Sequence, residues 1–267
     1  METIETISYE DFLAKAKKLI EREKLRETLS KPSSLLFRGQ SDASWGLQTT
    51  LERYQRGPIS QCEYGTIMKL LRKYSETAIE LSLPVDPDFL EDAEHGAPAD
   101  YPLMVHARHH GFPSPLLDWT ESLYVALFFS LSSTPRFRED GKAAVFAFRG
   151  DCGYGKTVEI GKPHIVGLGP SIRTHRRHFQ QQAQYTICQF RARSGELIYA
   201  SHEDAWQSNG NDKDQDVFWK FTIPWSQRDT ILCVLDKMNI NSFTLFGSMD
   251  GLMDVLARRL FDSPYSA

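Results

Sequence analysis

Long apolar runs are missing from this chain, and none of its 267 residues falls in a stretch approaching the roughly eighteen consecutive apolar positions of a membrane-crossing helix. Cysteine is scarce as well. Cys62, Cys152, Cys188 and Cys233 stand far apart with no Cys-x-x-Cys pair, which argues against a disulfide framework or a zinc site and for free thiols in the core. Positive charge is not in excess either. The formal net charge is −4, so the molecule as a whole lacks the basic field of a nucleic-acid binder, although a local basic patch stays open. The first residues carry Glu2, Glu5 and Glu10 without an apolar core of their own, unlike a signal peptide, and the expected location is cytoplasmic, away from membranes. No Gly-x-Ser-x-Gly and no His-Glu-x-x-His is found, and Gly153-Tyr154-Gly155-Lys156-Thr157 lacks the spacing of a phosphate loop and reads as a hairpin turn.

What the chain does have is ordinary globular material, 41% hydrophobic and 25% charged, enough to bury a full core. Ser8 and Asp11 cap a helix whose inward face is Phe12, Leu13, Ala16, Leu19 and Ile20, and whose charged end, Glu21 to Glu27, reads as solvated. Lys31-Pro32-Ser33 breaks that helix and feeds a strand ending at Arg38. Residues 40–56 show no clean period and read as an irregular connection with Trp45 and Leu51 tucked inward. Ser60 to Leu81 returns to helical spacing, with Ile67, Leu70, Leu71, Tyr74 and Ala78 on one stripe. The acidic stretch 84–100 reads as a surface loop. Tyr101 to His110 makes a short helix that Gly111 ends in a left-handed conformation.

A nearly all-apolar, central helix follows from Thr120-Glu121 onward. Ala143 to Phe148 is a buried strand, and Ile165 to Gly169, Gln184 to Phe190, Glu196 to Ala200 and Asp216 to Ile223 are further strands. Pro224-Trp225-Ser226 starts a helix to Met238, and Leu252 to Phe261, entered through Asp250-Gly251, is the last. There is no internal repeat, and residues 208–216 form a low-complexity loop. The expected fold class is α+β: a mixed β-sheet with N-terminal and C-terminal helices packed around it.

Two stretches concentrate functional groups. Leu35-Leu36-Phe37-Arg38-Gly39-Gln40 is an apolar run that turns abruptly polar, and His109-His110-Gly111-Phe112-Pro113-Ser114-Pro115-Leu116-Leu117-Asp118-Trp119-Thr120 is its counterpart. Arg38 offers a planar fork that fits phosphate or carboxylate, or else pairs with Asp118; the two roles are compatible. His109 reads as a hydrogen-bond donor or general base beside Asp118, or as a residue that fixes the following turn. Asp118 either orients His109 or caps the next helix, in which case Asp118→Asn would leave the fold intact. His106, His109 and His110 at helical spacing invite a metal, but three ligands so close on one helix would crowd a single ion, and no metal is expected. The run Arg173 to His178 either holds a phosphorylated ligand or is a solvated helix face.

The motifs Phe37-Arg38-Gly39-Gln40, residues 109–130, residues 177–185 and residues 245–256 occur in the order of the FRG domain family, which this chain resembles over most of its length. Relative to that family, Arg108 stands where glutamine is usual, His110 where tyrosine is frequent, Ser114-Pro115 in place of Thr-Arg, and Ala183 in place of glycine. The resemblance implies an N-terminal helix over 1–31 followed by one compact FRG domain over 32–267. It also implies a cleft lined by Arg38, Gly39, Gln40, His109, Asp118, Thr120, Arg177 and Gln181. The Arg-Gly pair is in addition similar to the opening motif of many ADP-ribosyltransferases, which implies an ADP-ribosyltransferase-like core, NAD as substrate, and Gln184 on a late strand orienting the ribose where those enzymes place a carboxylate. On this reading His109, Asp118 and Gln184 are catalytic, and Arg38, Gly39, Gln40, Thr120, Arg177 and Gln181 bind the dinucleotide. The function so implied is a toxin or defence effector that transfers ADP-ribose to nucleic acid or protein. The competing class is a non-catalytic nucleotide or nucleic-acid binding module, which would keep Arg38 and the 173–177 cluster but would not need His109 or Asp118.

Overall fold

The computed structural model describes residues 1–24, 35–55, 57–75, 98, 100–133, 140–151, 158–168, 177–208 and 215–262. Strand β1 (Glu2–Glu5) and helix α1 (Tyr9–Lys24) precede strand β2 (Leu36–Gln40) and three helices, α2 (Thr50–Tyr54), α3 (Gln61–Ser75) and α4 (Tyr101–His109). Strand β3 (Leu116–Thr120), the central helix α5 (Leu123–Ser132), strand β4 (Lys142–Asp151) and strand β5 (His164–Gly167) come next. A short helix α6 (Arg177–Gln180) leads into strands β6 (Ala183–Arg191) and β7 (Leu197–Tyr199), helix α7 (His202–Ser208) and strand β8 (Gln215–Pro224). A 3-10 turn at Trp225–Gln227 and helices α8 (Arg228–Lys237), α9 (Ser242–Phe246) and α10 (Met249–Phe261) complete the order.

The described strands form one mixed sheet in the order β1-β8-β4-β2-β3-β6-β5, with β7 added beside β6; only β1 and β8 run parallel. The chain is therefore α+β. Helices α1, α5 and α8 cover one half of one face, over Phe37, Val145, Ala147, Trp219 and Phe221. Helices α3 and α4 cover the other half, over Leu116, Tyr185 and Ile187. The opposite face packs Leu117, Trp119, Phe146, Phe148 and Phe218 beneath Leu47 and Ala205. No helix among the described residues is long and apolar enough to cross a membrane.

Several elements follow the sequence periodicity closely. Helix α1 is capped by Ser8 and buries Phe12, Ala16 and Leu19, and Gly111 takes a left-handed φ of 85° after α4. Other expectations are corrected. Glu23, in the stretch expected to be solvated, is buried in an ion pair with the equally buried Arg149 of β4. On helix α3, Ile67 and Leu71 of the predicted stripe meet the second core beside Tyr64 and Met68, whereas Leu70 and Tyr74 of that stripe are exposed, and Ala78 lies outside the described residues. Residues 40–56 contain α2, closed by a reciprocal Thr49–Glu52 capping box; Leu51 is buried as expected, but Trp45 is 51% exposed. Cys188 and Cys233 are buried in the core as expected, whereas Cys62 is exposed. Ser248 caps α10, which places Asp250 and Gly251 inside its first turn. Strands β1 and β3 and helices α7 and α9 are additional to the sequence reading. The 152–157 turn and residues 173–176 of the basic run lie outside the described residues.

Candidate functional site: a cleft where two strands part

Strand β2 does not end at Arg38; it continues to Gln40, paired residue by residue with β4 from Leu36↔Phe148 to Gln40↔Ala144. On its other side it meets β3 through a single residue pair, Phe37↔Thr120, and beyond that pair the ladder is absent. Partners in an antiparallel ladder share a face, and alternate residues change face. Arg38 and Gln40 therefore lie on the face of Phe146 and Ala144, whereas Asp118 and Thr120 lie on the face of Tyr185 and Ala183. Residues of opposite faces come together only because β2 and β3 separate. Arg38 spans the opening: its Nη1 donates to the main-chain oxygen of Asp118 at 2.8 Å and lies 3.9 Å from the Asp118 carboxylate.

The two strands separate around a cleft of about 440 Å³, within the size range of small-molecule sites. Arg38, Gly39, Gln40, His109, Asp118, Thr120, Arg177 and Gln181 all line it, and to these the structure adds Arg53, Arg108, Trp45, Phe129, Tyr185 and Phe246. Gln184 is not brought to the cleft. It alternates onto the other face of β6 and donates to Glu121 at 2.7 Å, while its neighbour Tyr185 takes the cleft position.

Asp118 sits in the middle of β3 and caps nothing; Ser122 caps α5 by accepting from the Val125 amide. Its carboxylate is gripped by Arg108, which donates Nε to Oδ1 and Nη2 to Oδ2 and also donates Nη1 to Thr50 Oγ1 at 2.8 Å. The Asp118 side chain nevertheless keeps 43% of its surface exposed and lines the cleft. Burial in the fold raises its pKa, but Arg108, Arg38 and His109 together outweigh burial and hold it below the ordinary aspartate value. The same pairing raises the pKa of Arg108 against the opposing effect of its own burial. Arg38 is pushed down to about 10, by burial first and by Arg108 and Arg53 in addition, with Asp118 opposing; it remains a cation at neutral pH.

His109 does not pair with Asp118. Its Nε2 meets the Tyr185 hydroxyl at 3.1 Å, and burial above all, with Arg108, His178 and Arg177 adding to it against Asp118, lowers its pKa to about 4. At pH 7 it is a neutral imidazole and a weak base. Tyr185 is in turn held by rings, stacked with His178 at 5.7 Å and edge-on to Tyr101 at 6.2 Å. The His106 and His110 rings lie tilted to each other with centroids 4.8 Å apart, and among the described residues no three His, Cys, Asp or Glu side chains gather as ligands for a metal ion.

The remaining expected residues hold the wall. Thr120 donates to the Gln181 main-chain oxygen at 2.6 Å and accepts from the Ser122 amide. Arg177 and Gln181 donate to the oxygens of Phe246 and Leu245, which tethers the end of α9 to the cleft, and the Arg177 guanidinium lies over the Phe246 ring. Gly39 has its place fixed by packing: a methyl there would overlap the main-chain oxygen of Ala126 and the nitrogen of Ser130 on α5. In the sequence Arg108 stands out only as a departure from a family pattern; its position in the last turn of α4, beside a strand carrying an unmatched acid, is the signal that marks it as the partner of Asp118.

A family model described as the FRG domain matches residues 33–139, from just before β2 to just after α5. Arg38, Arg108, His109 and Asp118 fall inside that segment, and Arg177, Gln181 and Tyr185 fall beyond it. No curated protein and no solved structure matches the chain.

Proposed function

We propose, from the premise that residues 33–139 form an FRG domain, that the cleft binds a phosphorylated nucleotide of the NAD class and transfers its ADP-ribosyl group to an acceptor. One observation carries the binding half. In a chain of net charge −4, four arginines, Arg38, Arg53, Arg108 and Arg177, line one cleft against one carboxylate, Asp118, and aromatic rings stand among them. Such a surface attracts an anion and offers its flat parts a stacking partner. The Nε of Arg38 is buried without a hydrogen-bond partner among the described residues, a donor that a phosphate oxygen would satisfy.

The transfer half rests on Asp118. An ionised carboxylate that remains open to the cleft can stabilise the positive charge that develops on the ribose carbon as nicotinamide departs, with the arginines on the phosphates. The acceptor then supplies the electron pair to that carbon and loses a proton. His109, neutral at pH 7, is the group on hand to take it.

A second reading, a non-catalytic binding module, is favoured by the engagement of both Asp118 oxygens by Arg108 and of His109 by Tyr185. Calorimetric titration with ADP-ribose tests binding, and nicotinamide release from NAD, with DNA, RNA and protein acceptors supplied, tests transfer. ADP-ribose binding together with nicotinamide release supports the transferase. Binding without release leaves the module, and no binding removes the transferase and the nucleotide form of the module, leaving only a nucleic-acid binder.

A further inference from the structure

We infer that Trp45 is the residue on which the cleft stacks the flat heterocycle of its ligand. The inference rests on the nucleotide reading and names a residue for base recognition within it.

Trp45 is 51% exposed and lines the cleft, although a large apolar ring ordinarily gains by being covered. Its exposure does not come from a loose loop. Trp225 donates its indole N–H to the Ser41 oxygen at 2.8 Å, the Ala43 amide donates to the Lys142 oxygen at 2.7 Å, and Lys220 donates to the Ala43 oxygen. On the far side of Trp45, Gln40 Nε2 donates to the Gly46 oxygen at 3.0 Å, and the Leu47 amide donates to Glu203 at 3.0 Å. Gly46 has no side chain where a Cβ would run into that Glu203 carboxylate, so the anchor closes tightly. The backbone is thus tied on both sides of a ring that is left open to the cleft, which is how a stacking platform is presented at low ordering cost.

A second feature of the same cleft points to a ligand, at Gln40. With its amide nitrogen committed to Gly46, Gln40 has its Oε1 buried and without a hydrogen-bond partner among the described residues. A planar heterocycle lying on Trp45 and carrying an amino or carboxamide N–H would supply the missing donor. Adenine and nicotinamide both have that chemistry, and NAD carries both.

The test is calorimetric titration of the parent, Trp45→Ala and Trp45→Phe with ADP-ribose and with carba-NAD, whose ribosyl bond cannot be cleaved; melting temperatures serve as the check on folding. Trp45→Ala is expected to weaken binding by roughly 5- to 100-fold, the range for loss of one base–aromatic stack, with Trp45→Phe recovering most of it. A loss seen with both ligands assigns the stack to adenine, and a loss seen with carba-NAD alone assigns it to nicotinamide. Parent-like affinity of Trp45→Ala for both ligands overturns the inference and leaves the nucleotide reading standing. A parent that binds neither ligand overturns both.

Discussion

Arg108 holds both carboxylate oxygens of Asp118 although one residue ends a helix and the other lies ten positions later in the middle of a strand. The turn between them, closed by Gly111 and by Tyr64 donating to the Pro113 oxygen, brings the end of α4 back over β3. Replacing Arg108 with alanine leaves Asp118 with Arg38, 3.9 Å away, as its nearest cation. We expect a loss of about 1–3 kcal/mol in unfolding free energy, below the full cost of breaking a buried pair because Asp118 is partly open to solvent. The Asp118 pKa should rise toward its ordinary value. Urea denaturation and a carboxyl titration followed by NMR check the two; an unchanged midpoint would mean that the pair contributes nothing to the fold.

Asp118→Asn is no longer the silent change that a helix cap would permit. The amide cannot accept from both Arg108 nitrogens, so this variant should lose stability as well as any transfer activity. The melting temperature should fall by several degrees, the equivalent of about 1–2 kcal/mol in a protein of this size. Nicotinamide release by this variant is therefore to be compared with that by Arg108→Ala. Transfer that depends on the carboxylate itself predicts a deeper loss in Asp118→Asn than in Arg108→Ala at matched stability.

Arg38→Lys keeps the charge and loses the fork. The bond from Nη1 to the Asp118 oxygen bridges the parted strands, and the buried Nε, without a hydrogen-bond partner among the described residues, is the donor the proposed nucleotide would use. ADP-ribose binding should weaken by about 1–3 kcal/mol, the scale of a charge-assisted hydrogen bond. Equal affinity of variant and parent by calorimetry would reduce Arg38 to a strand bridge.

Gly39→Ala tests packing in the same motif. A methyl at this position meets the main chain of α5, which cannot move aside as a side-chain tip can. A destabilisation of about 3 kcal/mol, toward the upper end for overpacking, is expected in a denaturant titration. A smaller effect than Ala produces at Gly65, where an added Cβ meets nothing within 4 Å, would contradict the close approach.

Acid should weaken the fold through His109. An unfolded histidine takes a proton near pH 6.5, whereas His109 takes one only near 4. Between those values the unfolded chain binds the extra proton, so stability is greatest above about 6.5 and falls as pH drops toward 4. After allowance for solvent access, the loss is about 1–3 kcal/mol. His109→Gln should show a shallower decline than the parent between pH 7 and 4.5. Parallel curves would show that the imidazole is not held neutral.

Local periodicity and punctuation were enough to place helix α1 and strands β4, β6 and β8, because each carries its own apolar pattern and its own stop. They also put Arg38, His109 and Asp118 in one site, since abrupt polarity at the edge of an apolar run is visible in one dimension. Strand β3 was hidden because five residues between a proline turn and a helix carry too short a pattern to separate strand from helix start. Glu23 was hidden because its partner, Arg149, lies 126 residues away. The face of each side chain on β6, which separates Tyr185 from Gln184, depends on register, and register is set by the neighbouring strands. The order of the motifs thus belongs to the sequence. The cleft itself belongs to the tertiary structure, because it exists where β2 and β3 stop pairing after Phe37 and Thr120, and a ladder that ends is a relation between two strands that neither one encodes alone.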